Sequence, residues 1–223
     1  NGTNGLALVV DPRLADGLIN LGTMRASGGG ILLLTGNGGG AFINTGGTIE
    51  ALDGSQVQLT AGASITGGTL ATAGTGTFYN LGSATLNSLT NAGTFIANNA
   101  STTTIAGTIT NTGSILISSS GSFTDLSLSG NGTLTGSGVL TLVNADRVLG
   151  SGILTNINNT IQGETSNSGS LGTNLIGIVN QSLIHANVSG HPLTVDPNVP
   201  HGPVHPAPLR REPAQSSCRS HTG

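Results

Sequence analysis

The 223-residue chain contains no Trp, no Lys and one cysteine, and only 7% of its residues are charged. A lone cysteine, Cys218, excludes an internal disulfide framework and any all-cysteine metal site. Without Lys, the Gly-rich run 36–40 lacks the cation of a phosphate-binding loop and reads as a plain connection. Six scattered Arg and a formal net charge of −3 make no basic stripe, which argues against a nucleic acid partner. No apolar run approaches membrane-spanning length, so no membrane span is expected. Aromatic residues amount to 2%, and large aromatics are not needed where each rung contributes one or two Ile, Leu, Val or Ala to a thin continuous core. There is neither an initiator Met nor a signal peptide, and the chain reads as a fragment or processed piece.

What is present is Gly, 37 residues of it, with Ser, Thr and Asn, and 35% apolar residues that recur in phase. That periodicity favours an ordered repeat over disorder. Asn91-Ala92-Gly93-Thr94-Phe95 returns as Asn111-Thr112-Gly113-Ser114-Ile115 and more loosely as Asn131-Gly132-Thr133-Leu134, at one constant spacing. Asn and Gly tolerate a left-handed backbone, so Asn91, Gly93, Asn111, Gly113, Asn131 and Gly132 are expected at stacked tight turns, their amides forming a ladder. The short alternating runs that follow place Phe95, Ile105, Ile109, Ile115, Ile117, Phe123, Leu126, Leu128 and Leu134 in the core, with Leu140 and Leu142 beyond.

A repeat this short cannot bury its own apolar face and must stack on its neighbours. The expected fold is all-β, a right-handed parallel β-helix (β-solenoid) of about 20 residues per rung. It should run over residues 1–197, with Phe95 above Ile115 inside. A β-sandwich of Gly-rich hairpins is the rival, but it needs no long register. Two longer echoes, Gly177–Ala186 with Gly17–Ala26 and Leu193–Pro197 with Leu8–Pro12, point to a larger unit restarting. Residues 198–223 change character: seven of the eight Pro lie at or after Pro192, and His201, His205, Arg210, Arg211, Cys218, Arg219 and His221 crowd in. This Pro/His/Arg-rich tail is expected to be disordered, and a shifted reading frame would explain it. With no evident cap at either end, end-to-end self-association is expected.

The Asn-x-Gly-Thr/Ser-apolar turns at Asn44, Asn91, Asn111 and Asn167, with their Leu-Thr-Gly and Ile-Thr-Asn strands, resemble bacterial filamentous-haemagglutinin and autotransporter-passenger β-helices. The resemblance covers residues 1–197. It implies a segment of a large secreted or cell-surface bacterial protein, a spacer or an adhesive face for glycans or neighbouring cell-surface proteins.

An enzyme on such a scaffold would resemble pectate-lyase-like β-helices and act on polysaccharide, which calls for clustered carboxylates. Asp125 and Asp146, about one rung apart, could stack, and Asp146-Arg147 is an adjacent acid–base pair; Glu50 and Asp53 are close in sequence. Solvated corner positions are the plainer reading, and no catalysis is expected. His185/His191 and His201/His205 suggest no structural metal site, and Pro203 forbids a helix between the latter two. No cofactor is implied. Thr-x-Thr pairs occur at Thr75/Thr77, Thr102/Thr104, Thr108/Thr110 and Thr133/Thr135, at irregular offsets. Because these offsets depart from the register of the Asn-Gly turns, an ice- or mineral-binding array ranks last among the functions considered.

Overall fold

A computed structural model describes residues 6–14, 17–164 and 169–198. The alternating runs form short strands because β-branched and apolar residues fit a pleated surface buried on one side. Every strand pairing is parallel, and the one antiparallel contact among the described residues is an isolated bridge between Arg13 and Gly39. The strands stack into a β-solenoid of about 8 turns. Among the described residues there is no helix, and so none long and apolar enough to cross a membrane. Parallel stacking at about 4.8 Å per turn makes the stack about 40 Å long.

Each complete turn passes through three lanes, in most turns with one strand in each. The first lane is a nine-stranded sheet from Leu8–Val10 through Ile31–Thr35, Gln56–Thr60, Thr77–Asn80, Thr94–Ala97, Ser114–Ser118, Val139–Val143 and Thr160–Glu164 to Leu183–His185. The second runs through Leu18–Ile19, Phe42–Ile43, Ala63–Thr66, Ser83–Asn87 and, after two long strands, Arg147–Gly150, Ser170–Leu171 and Thr194–Val195. The third runs through Thr23–Ala26, Thr48–Ala51, Thr69–Thr72 and Thr90–Asn91 to Ile153–Asn156 and Gly177–Asn180. The long strands Thr102–Asn111 and Asp125–Thr135 cross from the second lane into the third.

The turn averages about 23 residues, longer than the spacing of the Asn-Gly texts. Strand registers show why. Phe78 lies over Phe95 by a short path through the chain, whereas Leu32 reaches its partner Val57 by a much longer one. Strand lengths hold while corners vary. Between the first and second lanes the corner is residues 61–62 or 81–82 in the tight turns and residues 119–124 in a wide one. The longer echoes do not mark equivalent positions. Leu8–Val10 lies in the first lane but Thr194–Val195 in the second, and Leu18–Ile19 lies in the second lane but Gly177–Asn180 in the third. A solenoid accepts similar short texts in any lane, because each lane asks only for alternation.

Inward columns make one continuous core. Val57, Phe78, Phe95, Ile115 and Leu140 follow one another up the first lane in register, each at most 1% exposed. Ile65, Leu86, Ile105 and Leu128 form the matching buried column of the second lane. Ile109, Ile117, Leu126, Leu134 and Leu142 are also fully buried. Each such side chain contributes roughly 1.5–3 kcal/mol relative to exposure. Phe123 departs from expectation: it is 58% exposed, because it belongs to the wide corner and not to a strand.

Candidate functional site

The Asn-Gly signals prove to be interior features. Asn91 and Asn111 are in register and fully buried, and Asn91 Nδ2 donates to Asn111 Oδ1 at 2.8 Å. Asn111 Nδ2 in turn donates to Asn159 Oδ1 at 2.8 Å. The same device joins Asn20 to Asn44 at 2.7 Å and Asn156 to Asn180 at 2.9 Å. Neither Asn91 nor Asn111 has a positive φ, and neither do Gly93 and Gly113. Glycine is required there for close approach: a Cβ on Gly113 would collide with the Gly93 carbonyl oxygen. Gly68, in the Gly-Gly-Thr step, combines both demands, with φ +69° and a backbone pressed against the Asn44 carbonyl oxygen.

Asn131 and Gly132 do not continue the ladder. Ile105 pairs with Leu128, and Gly107 pairs with Gly132. Ala106 alone therefore faces Ser129, Gly130 and Asn131 on the next turn, a bulge in the upper strand. Asn131 is exposed in that bulge, its Oδ1 accepting from the Ile153 N–H. Gly132 sits in the strand above Gly107 and not at a turn.

Asp125 and Asp146 lie near one corner but do not stack on each other, and their fates differ. Asp125 is in register with Arg147, and the guanidinium grips it with two bonds, Nε to Oδ1 at 2.7 Å and Nη2 to Oδ2 at 2.8 Å. Phe123 lies against the same guanidinium, 4.0 Å from ring centroid to Cζ. That contact covers part of a ring that the wide corner leaves outside. The hydrogen-bonded carboxylate raises the Arg147 pKa further. Asp146 turns inward and is fully buried; its Oδ2 accepts from the Val143 N–H at 2.5 Å, while Oδ1 has no partner. Burial lifts its pKa from 3.8 to about 7, against the lowering effect of the Val143 N–H and of Ser119 beside it.

Glu50, Asp53 and Asp11 have structural partners. Glu50 pairs with Arg25 in register, at 2.5 Å. Asp53 accepts from the Thr75 N–H at 2.8 Å and its hydroxyl at 2.9 Å, which lowers its pKa. Asp11 accepts from the Gly38 N–H at 2.7 Å. Among the described residues no three His, Cys, Asp or Glu side chains converge as metal ligands. His201, His205, Cys218 and the other tail residues from 199 onward lie outside the described residues, as does Asn167.

The outward face of the third lane has an order that sequence spacing hides. Thr23, Thr48, Thr69, Thr90, Thr110 and Thr135 stand in one unbroken column, each paired in register with the next. Thr108, Thr133 and Thr155 form a second column two positions along the strand. The wide offset between the Thr-x-Thr pairs at Thr108 and Thr133 is the local turn length, so those two pairs are in register after all. The pair at Thr102 belongs to the second lane.

Comparisons with known protein families, curated protein sequences and solved structures give no match. The architecture therefore stands on the strand pairing itself, as a β-solenoid. The site readings rest on the geometry above.

Proposed function

We propose that this chain is a non-catalytic structural or adhesive solenoid segment, a stiff spacer of a large secreted or cell-surface bacterial protein. The observation that carries the proposal is the unbroken first lane, nine strands hydrogen-bonded in sequence over one continuous core. A stack of this kind resists bending because every turn is bonded to the next. The filamentous-haemagglutinin-like turn texts support the surface setting, and glycans or neighbouring surface proteins are the partners that setting implies.

The fates of the two corner carboxylates favour this reading over polysaccharide cleavage. Asp125 is held by Arg147, and Asp146 is walled off from any substrate. At the first turn Leu8 is 54% exposed although its register partner Leu32 is buried. Such an end favours stacking of a second copy or a further turn. The test is soluble-product release from a panel of plant, algal and bacterial polysaccharides, with and without Ca²⁺, beside small-angle scattering. An elongated particle and no product are expected. Product that vanishes in an Asp125→Ala/Asp146→Ala variant would overturn the reading.

A further inference from the structure

We infer that the threonine face of the third lane is an ice-binding surface. Six in-register threonines span five turn spacings, about 24 Å at about 4.8 Å each. The second column lies two positions along the strand, about 6.7 Å away. The lane's inward neighbours Ile49, Leu70, Ile109 and Leu134 are fully buried, so the intervening threonines face out. The hydroxyls of Thr77 and Thr124 are occupied by backbone carbonyls, but those of the column have no partner among the described residues. Asn20 Nδ2 reaches Thr48 at its backbone carbonyl and not at its hydroxyl.

A ligand that fits such a face repeats in two directions, is uncharged, and offers a donor and an acceptor at each site. Crystalline water has those properties. Each threonine supplies one hydroxyl donor, two acceptor lone pairs and a methyl group. Its branched side chain has few rotamers, and the sheet beneath it is fixed by the core, so little freedom remains to be lost on binding. Among the described residues of the lane, charge is confined to the Arg25–Glu50 pair at one end. Crystalline polysaccharide fits less well, because sugar rings are gripped by aromatic faces. Phe42, Phe78 and Phe95 are buried, Phe123 is at the Arg147 corner, and Tyr79 is in the first lane.

The inference is independent of the spacer reading, since a rod with any setting could carry this face. The experiment is adsorption of the fluorescently labelled full chain to a growing ice hemisphere, with observation of crystal shape in a nanolitre osmometer. Enrichment in ice and faceted crystals are expected. Thr90→Tyr and Thr110→Lys, made separately in mid-column, should each reduce adsorption on the order of tenfold. Gln58→Tyr, on the first lane, should leave it unchanged. Circular dichroism identifies which variants keep the fold, and either third-lane variant that does so carries the comparison. Exclusion of the wild-type chain from ice, equal adsorption by a folded third-lane variant, or adsorption to crystalline cellulose or chitin instead would overturn the assignment.

Discussion

Replacing Asp146 by Asn should make the protein more stable at pH 8, and by a clearly smaller margin at pH 5. The carboxyl is fully buried at the corner between the first two lanes, and desolvation is the main reason its pKa stands near 7. The nearby Asp125 charge pushes in the same direction. In the unfolded chain the group returns to about 3.8, so the native state holds the proton more tightly. Its contribution is therefore fully present below about pH 4 and is lost as pH rises to 7, after which it is flat. About three pH units at 1.36 kcal/mol each set an upper bound of about 4 kcal/mol. Relaxation of the corner around the ionised group should bring the observed loss to about 2 kcal/mol. In the variant the amide oxygen can still accept from the Val143 N–H, and nothing titrates. The assay is urea unfolding of both proteins at pH 5, 6, 7 and 8, comparing midpoints. His185 and His191 are common to both, so the difference between the two curves isolates Asp146. Wild-type stability that is flat or rises over this range relative to the variant would refute the reasoning.

The Asn ladder makes a second claim. Asn111→Leu removes bonds to Asn91, Asn159 and the Val139 carbonyl, leaving buried polar atoms unpaired, and should cost about 2–3 kcal/mol by denaturant unfolding. Gly113→Ala places a methyl against the Gly93 carbonyl oxygen, and thermal unfolding should show a loss larger than the roughly 1 kcal/mol by which Ala ordinarily differs from Gly. Arg147→Ala breaks the bidentate pair and uncovers Phe123; because the Arg side chain is 32% exposed, the expected loss is only about 1 kcal/mol. Leu8→Asp should weaken concentration-dependent association seen by analytical ultracentrifugation while leaving the melting profile of the dilute protein unchanged.

The alternation of Val57 and Leu59 with Gln56, Gln58 and Thr60 is enough to read a strand with one buried face, and the structure buries just those two. Stacking of Phe95 on Ile115 and of Asn91 on Asn111 is legible because the turn between them has the same length as the repeat of the Asn-Gly text. The register beyond it is not, and the reason is physical. Backbone pairing fixes what lies above what, while corners on the surface can lengthen with little effect on the stack, so sequence spacing drifts and spatial spacing does not. Projecting the same spacing onward from Asn111 lands on Asn131, in a bulge, when the residue that receives its amide proton is Asn159. The same assumption hides the threonine column, whose successive steps look uneven on paper and are a straight line in the molecule. Phe123 escapes the reading for a related cause. An aromatic next to Thr and Asp reads as the start of a strand, but only the fold reveals that Arg147, one turn on, offers its guanidinium to that ring. In a solenoid the strand text is read locally, and the partner of each residue is set by the corners in between.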